Sequence, residues 1–189
     1  MSIDLPLHRL LLDQWDRPAD EDDETMLSRC TGPTLDVGCG PGRLTVALAG
    51  QGLVVLGIDV VSGAVGRTRE RGGAALRRDV FETLPGEGRW ETALLADGNV
   101  GIGGDPVALL RRLREVLDPR GRVVAEVAPP GTPHTVDWAT LECDDERHVI
   151  RWSVVGIEDV DRIAHEAGLA VVERLRSGER WFAVLEEAA

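Results

Sequence analysis

The chain has 189 residues, 43% of them apolar, with 33 acidic side chains against 21 basic ones and a formal charge of −12. The length suits one domain with a real core, and the apolar share is that of an ordinary globular protein. So acidic a chain repels polyanions, which argues against DNA or RNA as a substrate, and it tolerates a cationic ligand. Every base is arginine, and neither lysine nor tyrosine occurs. That bias reads as codon usage in a GC-rich genome, and it excludes Schiff-base lysine and tyrosine-base chemistry. The longest apolar runs are about five residues, too short to span a membrane. His8 and Arg9 interrupt the N-terminal apolar stretch, so no signal peptide is expected. Cys30, Cys39 and Cys143 form no CxxC pair, which fits a reducing cytoplasm. His8, His134, His148 and His165 show no HxxxH spacing, so no metal site is expected.

In chain order, Asp4 is a candidate cap and Pro6 suits a first turn. Leu7, Leu10, Leu11 and Trp15 then recur on one face, which predicts a short amphipathic helix. The acidic "DRPADEDDET" reads as a solvated linker entering a second short helix near Asp22 to Cys30. Residues 1–32 are thus expected to form a helical lid on a domain spanning 33–189, the whole making one compact unit.

From Pro33 onward strand and helix alternate. "PTLDVG" reads as a strand, Arg43 to Gly50 as a helix, and "LVVLGIDV" as a buried strand. Ser62 to Arg71 follows as a helix stopped by Gly72-Gly73, then the weaker strand "AALRRD" and the fourth strand "WETALLAD". Asp105 caps a long helix with Pro106 in its first turn, "DPRG" ends it, and "RVVAEVAPPG" is the fifth strand. Residues 129–153 are expected to be irregular. Ile157 to Ala167 reads as a helix, and "LAVVERLR" with "ERWFAVLEE" as a hairpin turning at Ser177-Gly178. The expected fold class is α/β: a doubly wound, mostly parallel seven-stranded sheet with an antiparallel C-terminal hairpin strand and helices on both faces.

In such a sheet ligands bind beyond the carboxyl ends of the strands, at the switch point. The first strand runs into Gly38-Cys39-Gly40-Pro41-Gly42-Arg43, a bare backbone that can turn sharply and lie against a ligand. The spacing is G-x-G-x-G, not the G-x-G-x-x-G of dinucleotide folds, and Asp36 just before it is unhelpful beside a pyrophosphate. A ligand with an ammonium and a sulfonium suits it better. Asp59 ends the second strand, where an acid can accept from both ribose hydroxyls. Asp79 ends the third, within reach of an adenine amino group. Each acid has a local alternative: Asp36 as a loop cap, Asp59 as a cap for the helix at Ser62, Asp79 as a plain strand-end acid. Cys39 reads simply as a small residue that fits.

The successive segments "LDVGCGPGR", "GID", "RRDV" and "LLADGN" resemble the cofactor motifs of the class I S-adenosylmethionine-dependent methyltransferases. The motifs cover about Pro33 to Val127, and the closing helix and hairpin extend the likeness to the C-terminus. The resemblance implies S-adenosylmethionine as cofactor. Asp36 and the loop Gly38, Cys39, Gly40, Gly42 and Arg43 would hold the methionine end, Asp59 with Val60 the ribose, and Asp79 with Val80 the adenine. The backbone at Ala96 and Asp97 would meet the methionine amino group.

Methyl transfer from a sulfonium mainly requires alignment, and a base only when the acceptor holds its proton tightly. The best-placed candidates are Asp97 and Asn99 after strand four and His134 after strand five. Asp97-Gly98-Asn99-Val100 lacks the Asn/Asp-Pro-Pro-aromatic run of amino-methylating nucleic-acid members. Trp15, Trp138 and Trp152 are candidate walls of an acceptor pocket, and Arg67, Arg69, Arg71, Arg77 and Arg78 read as a solvated, salt-bridged face. The expected protein is a cytoplasmic, bacterial methyltransferase for a small molecule, monomeric or homodimeric, binding neither membrane nor nucleic acid. An NAD(P)-dependent oxidoreductase and a non-catalytic cofactor-binding partner subunit are the alternatives.

Overall fold

The computed structural model describes residues 8–11, 15–143 and 146–188. Strand β1 (His8–Leu11) is followed by helix α1 (Glu21–Leu27), strand β2 (Thr34–Val37), helix α2 (Arg43–Gly50), strand β3 (Val55–Asp59) and helix α3 (Ser62–Glu70). Strands β4 (Ala75–Arg77) and β5 (Trp90–Leu95), helix α4 (Pro106–Val116) and strand β6 (Leu117–Val127) complete the alternating part. Then come β7 (Thr135–Cys143), β8 (Glu146–Val154), α5 (Val160–Glu166), β9 (Leu169–Ser177) and β10 (Arg180–Glu187).

Seven strands form one sheet in the order β4-β3-β2-β5-β6-β10-β9. β4, β3, β2, β5 and β6 run parallel, and β10 pairs antiparallel with both β6 and β9. The expected α/β class and the antiparallel closing hairpin are both present. Because successive side chains of a strand face opposite ways, β5 serves two cores. Ala93 and Leu95 join the cluster with Leu109, Leu110 and Leu113 of α4, while Leu94 joins the one with Met26, Leu27, Leu44 and Leu48 of α1 and α2. Asp105 caps α4 through a bond to the Ala108 N–H, with Pro106 at its start. Among the described residues, no helix is long and apolar enough to cross a membrane.

Four expectations are corrected. The predicted N-terminal helix is not formed over His8–Leu11, which is a strand running parallel to β7, with His8 opposite Ala139 and Leu11 opposite Glu142. A distant strand supplies the backbone partners there, and local periodicity does not report that. The proposed cap Asp4 and first-turn Pro6 lie outside the described residues. The stretch 129–153 is not irregular: β7 and β8 form an antiparallel hairpin which, with β1, makes a second, three-stranded sheet. "DPRG" does not end α4 as a loop, because β6 already begins at Leu117. The closing turn is also shifted by one residue, since Ser177 pairs with Arg180 and leaves Gly178-Glu179 as the loop.

Candidate active site

The tips of β2, β3, β4 and β5 meet at one edge of the large sheet, and β2 lies between β3 and β5 at the switch point. The backbone after β2 takes positive φ at Gly38 (72°), Gly40 (53°) and Gly42 (83°). That left-handed region is costly for residues with a Cβ. At Gly38 space adds a second reason: a Cβ would stand 2.7 Å from the Asn99 side-chain nitrogen. The loop delivers the chain into α2, whose first turn has no side-chain cap.

A cavity of about 360 Å³ opens at this edge, within the usual range for small-molecule sites. Asp36, Gly38, Cys39, Gly40, Arg43, Asp59, Val60, Asp79, Val80, Ala96, Asp97 and Asn99 all line it. Gly42 lies just behind, and its missing Cβ makes room for Thr68. The β7–β8 hairpin forms a roof, contributing Leu141, Ile150 and Trp152, and the strand passes so close to Gly101 that a Cβ there would stand 1.8 Å from the Ser153 carbonyl oxygen. Trp15, Phe81 and Ile102 add apolar wall.

The acids are committed to the loop as well as to the cavity. Asp36 is 2% exposed and accepts the Thr45 hydroxyl proton at 2.6 Å. Burial pushes its carboxyl up to about 6 against that bond, and neighbouring Asp97 adds to the rise. Asp59 accepts the N–H groups of Gly40 at 3.0 Å and Val61 at 2.9 Å and so braces both turns, but it does not cap α3, whose N-cap is Val61 with no side-chain bond. Burial still raises its carboxyl against those bonds. The Val60 N–H bonds it as well, so of a carboxylate's about four lone-pair sites about one remains for a ligand. Asp79 is exposed and accepts the Phe81 N–H at 3.0 Å. Burial pushes the Cys39 thiol far up, which keeps it protonated, so it is a packing residue.

Arg43 is 3% exposed and bridges two carboxylates, Asp23 and Asp97, the latter at 2.5 Å. Its Nε is buried with no partner. Asp23 is 0% exposed although it lies in the acidic linker read as solvated. Burial alone raises its carboxyl, but hydrogen bonds from Arg180 and Arg43 hold it well below the usual carboxylate range. Sequence reasoning missed this cluster because its members are scattered through the chain. Of the other basic cluster, Arg67 and Arg71 pair with Asp16, whereas Arg69 and Arg77 bond backbone carbonyls.

The three catalytic candidates separate. Asp97 lines the cavity. Asn99 lines it too, but its Nδ2 donates to the Val37 and Gly38 carbonyls and ties the two loops together. His134 is not brought to the cavity: its Nε2 is 2.8 Å from the Ser153 hydroxyl at the base of the hairpin. The hairpin that redirects residues 135–154 carries it away. Trp15 and Trp152 are walls, whereas Trp138 is 39% exposed and stacks against Arg151. A second cavity of about 230 Å³ lies beyond Gly98 and shares Trp152 with the first, with Glu126, Val127, Pro129 and Arg180 around it. Among the described residues no cluster of three or more His, Cys, Asp or Glu is arranged to hold a metal ion.

A family model described as a methyltransferase domain matches residues 7–174. The chain belongs to this methyltransferase family. The class I S-adenosylmethionine-dependent family named from the sequence motifs is thereby borne out, and the NAD(P)-dependent oxidoreductase alternative is not favoured. The methyltransferase shares its fold with solved structures of low identity. It is similar to the CcbJ methyltransferase from Streptomyces caelestis (19% identity, TM-score 0.71, covering 94% of this chain and 95% of that one). It is also similar to a SAM-dependent methyltransferase from Bacteroides fragilis, solved with S-adenosyl-L-homocysteine (22%, TM-score 0.77, covering 94% and 81%). A third likeness is to the 1,6-didemethyltoxoflavin-N1-methyltransferase of Burkholderia thailandensis, solved with 1,6-didemethyltoxoflavin and S-adenosylhomocysteine (20%, TM-score 0.63, covering 85% and 72%). A search of curated proteins finds no match.

Proposed function

We propose that this methyltransferase binds S-adenosylmethionine in the larger cavity and moves its methyl group to a small-molecule acceptor. One observation carries the reading: the acids at the tips of β2, β3 and β4 and the glycine loop all border a single cavity. The residues fit the group. Asp36 and Asp97 offer negative charge to its cationic end, and the unpartnered Nε of buried Arg43, beside the uncapped start of α2, offers a donor for its carboxylate. Asp59 keeps acceptor capacity for a ribose hydroxyl, and Asp79, Val80 and Phe81 border the adenine end.

When bound, the cofactor supplies a methyl group activated by its sulfonium. The chain's own part is alignment and exclusion of water. The apolar roof of Leu141, Ile150 and Trp152 covers the site, which supports a lid function for the β7–β8 sheet in addition to the N-terminal segment. The second cavity, across Gly98 and Trp152, is a room of a size for part of a small acceptor. Asp97, next to Gly98 on the side of the larger cavity, acts in orientation, since Arg43 holds its carboxylate. The Burkholderia relative of similar fold was solved with a small heterocycle, which is in keeping with a small acceptor.

Incubation with methyl-labelled S-adenosylmethionine and a panel of small amines, phenols and carboxylic acids tests the reading. Acceptor-dependent release of S-adenosylhomocysteine is expected. Binding without turnover on any acceptor would favour the non-catalytic module.

A further inference from the structure

We propose that Arg180 is a positioning residue for the amino-acid end of the cofactor, acting through Glu126 on the backbone of Asp97. The proposal rests on the cofactor reading above. Among the described residues, Asp97 is the one non-glycine with positive φ (52°), and such strain persists only where the surroundings enforce it. Two contacts enforce it here. The Asp97 N–H donates to Glu126 Oε2 at 2.7 Å, and its carboxylate accepts from Arg43 at 2.5 Å. Glu126 is in turn held by both prongs of Arg180, Nε to Oε1 and Nη2 to Oε2, each at 2.8 Å.

The arrangement closes on itself. Arg180 Nη1 donates to Asp23 Oδ1 at 2.7 Å, and the same Asp23 oxygen accepts from Arg43. The ring Arg180–Glu126–Asp97–Arg43–Asp23 therefore draws one residue each from β10, β6, the turn after β5, α2 and α1. Arg17 and Asp20 join the cluster at Asp23, and its three guanidiniums and four carboxylates leave one net negative charge beside the cavity that is to receive an ammonium. Arginine suits the corner because its planar fork takes a carboxylate with two N–H groups and keeps another for Asp23. Lysine has no such fork. Arg180 and Glu126 thus set the direction of the peptide groups at Ala96 and Asp97, which border the cavity.

Calorimetry on the full chain with two ligands tests this. S-adenosylhomocysteine has the amino-acid end, and 5′-methylthioadenosine keeps the adenosine and the thioether but lacks that end. Arg180→Ala should weaken S-adenosylhomocysteine by roughly tenfold, the scale of one hydrogen bond to a charged group, and leave methylthioadenosine about as tightly bound as in the parent. Arg180→Lys should recover part of the loss. Glu126→Gln should repeat the pattern, and its conserved size makes it the variant to rely on if Arg180→Ala does not fold. Equal losses for both ligands, or no loss for S-adenosylhomocysteine, would overturn the proposal. A parent that does not bind S-adenosylhomocysteine overturns the cofactor reading itself, and the proposal with it.

Discussion

Gly40 donates its backbone N–H to Oδ2 of Asp59 at 3.0 Å, so the tip of β3 holds the glycine loop in place. The other oxygen of the same carboxylate takes the Val61 N–H. Asp59→Ala leaves both buried N–H groups without a partner, and each such group costs about 1–3 kcal/mol. The variant should lose at least about 2 kcal/mol of stability in urea unfolding. Asp59→Asn keeps one acceptor oxygen and should lose less. Equal stability of parent and Asp59→Ala would contradict the bracing role.

Asp36 makes binding and stability respond to pH in opposite directions. Its folded value of about 6 lies above the ordinary carboxylate value of about 4. Its contribution to stability is therefore full below pH about 4 and is lost as pH rises through about 6. Two units correspond to about 3 kcal/mol. The carboxylate form, which attracts a cation, appears over that same rise. S-adenosylmethionine should bind more tightly at pH 7.5 than at pH 5. Asp36→Asn keeps an acceptor for Thr45; it should melt higher than the parent at pH 7.5 and lose the change in affinity between pH 5 and pH 7.5. Calorimetry and thermal melts at the two pH values check both signs.

The sheet was legible in the sequence because its strands are short apolar runs between local signals. Asp105 and Pro106 mark the start of α4, and the helix over Arg43–Gly50 has the predicted bounds. What escaped is held together by partners far along the chain. Asp23 looks like one more solvated acid, yet its neighbours in space are Arg43 and Arg180, 20 and 157 residues away. Strand β1 exists because β7 pairs with it, and β7 reads "TVDWATLEC", with no clean alternation of apolar and polar residues. The site followed the same division. Strand-tip acids and glycines are local features, whereas the roof of Leu141, Ile150 and Trp152 depends on the hairpin.

The roof depends on the closeness of Gly101 to β8. Gly101→Ala puts a Cβ against the Ser153 carbonyl, where backbone must move on one side or the other. The cost should be about 3 kcal/mol, at the upper end for overpacking. A displaced roof should also raise the exposure of Trp152 to an aqueous fluorescence quencher. An unchanged melt and unchanged quenching would contradict the packing described.

Phe81 borders the cavity beside Asp79 and Val80 and is 44% exposed. A ring there can stack on a base, a contact worth about 1–3 kcal/mol. Phe81→Ala should weaken S-adenosylhomocysteine and methylthioadenosine alike, by roughly tenfold, because both carry the adenine. A loss confined to S-adenosylhomocysteine would assign Phe81 to the wrong end of the cavity.

The most direct measurement is isothermal titration calorimetry of the full chain with S-adenosylhomocysteine, repeated on Asp59→Ala. The cofactor assignment predicts a single saturable site on the parent and an affinity at least about tenfold weaker in the variant, the loss expected when a hydroxyl-binding carboxylate is removed. No binding to the parent, or equal affinity in the two proteins, would contradict it.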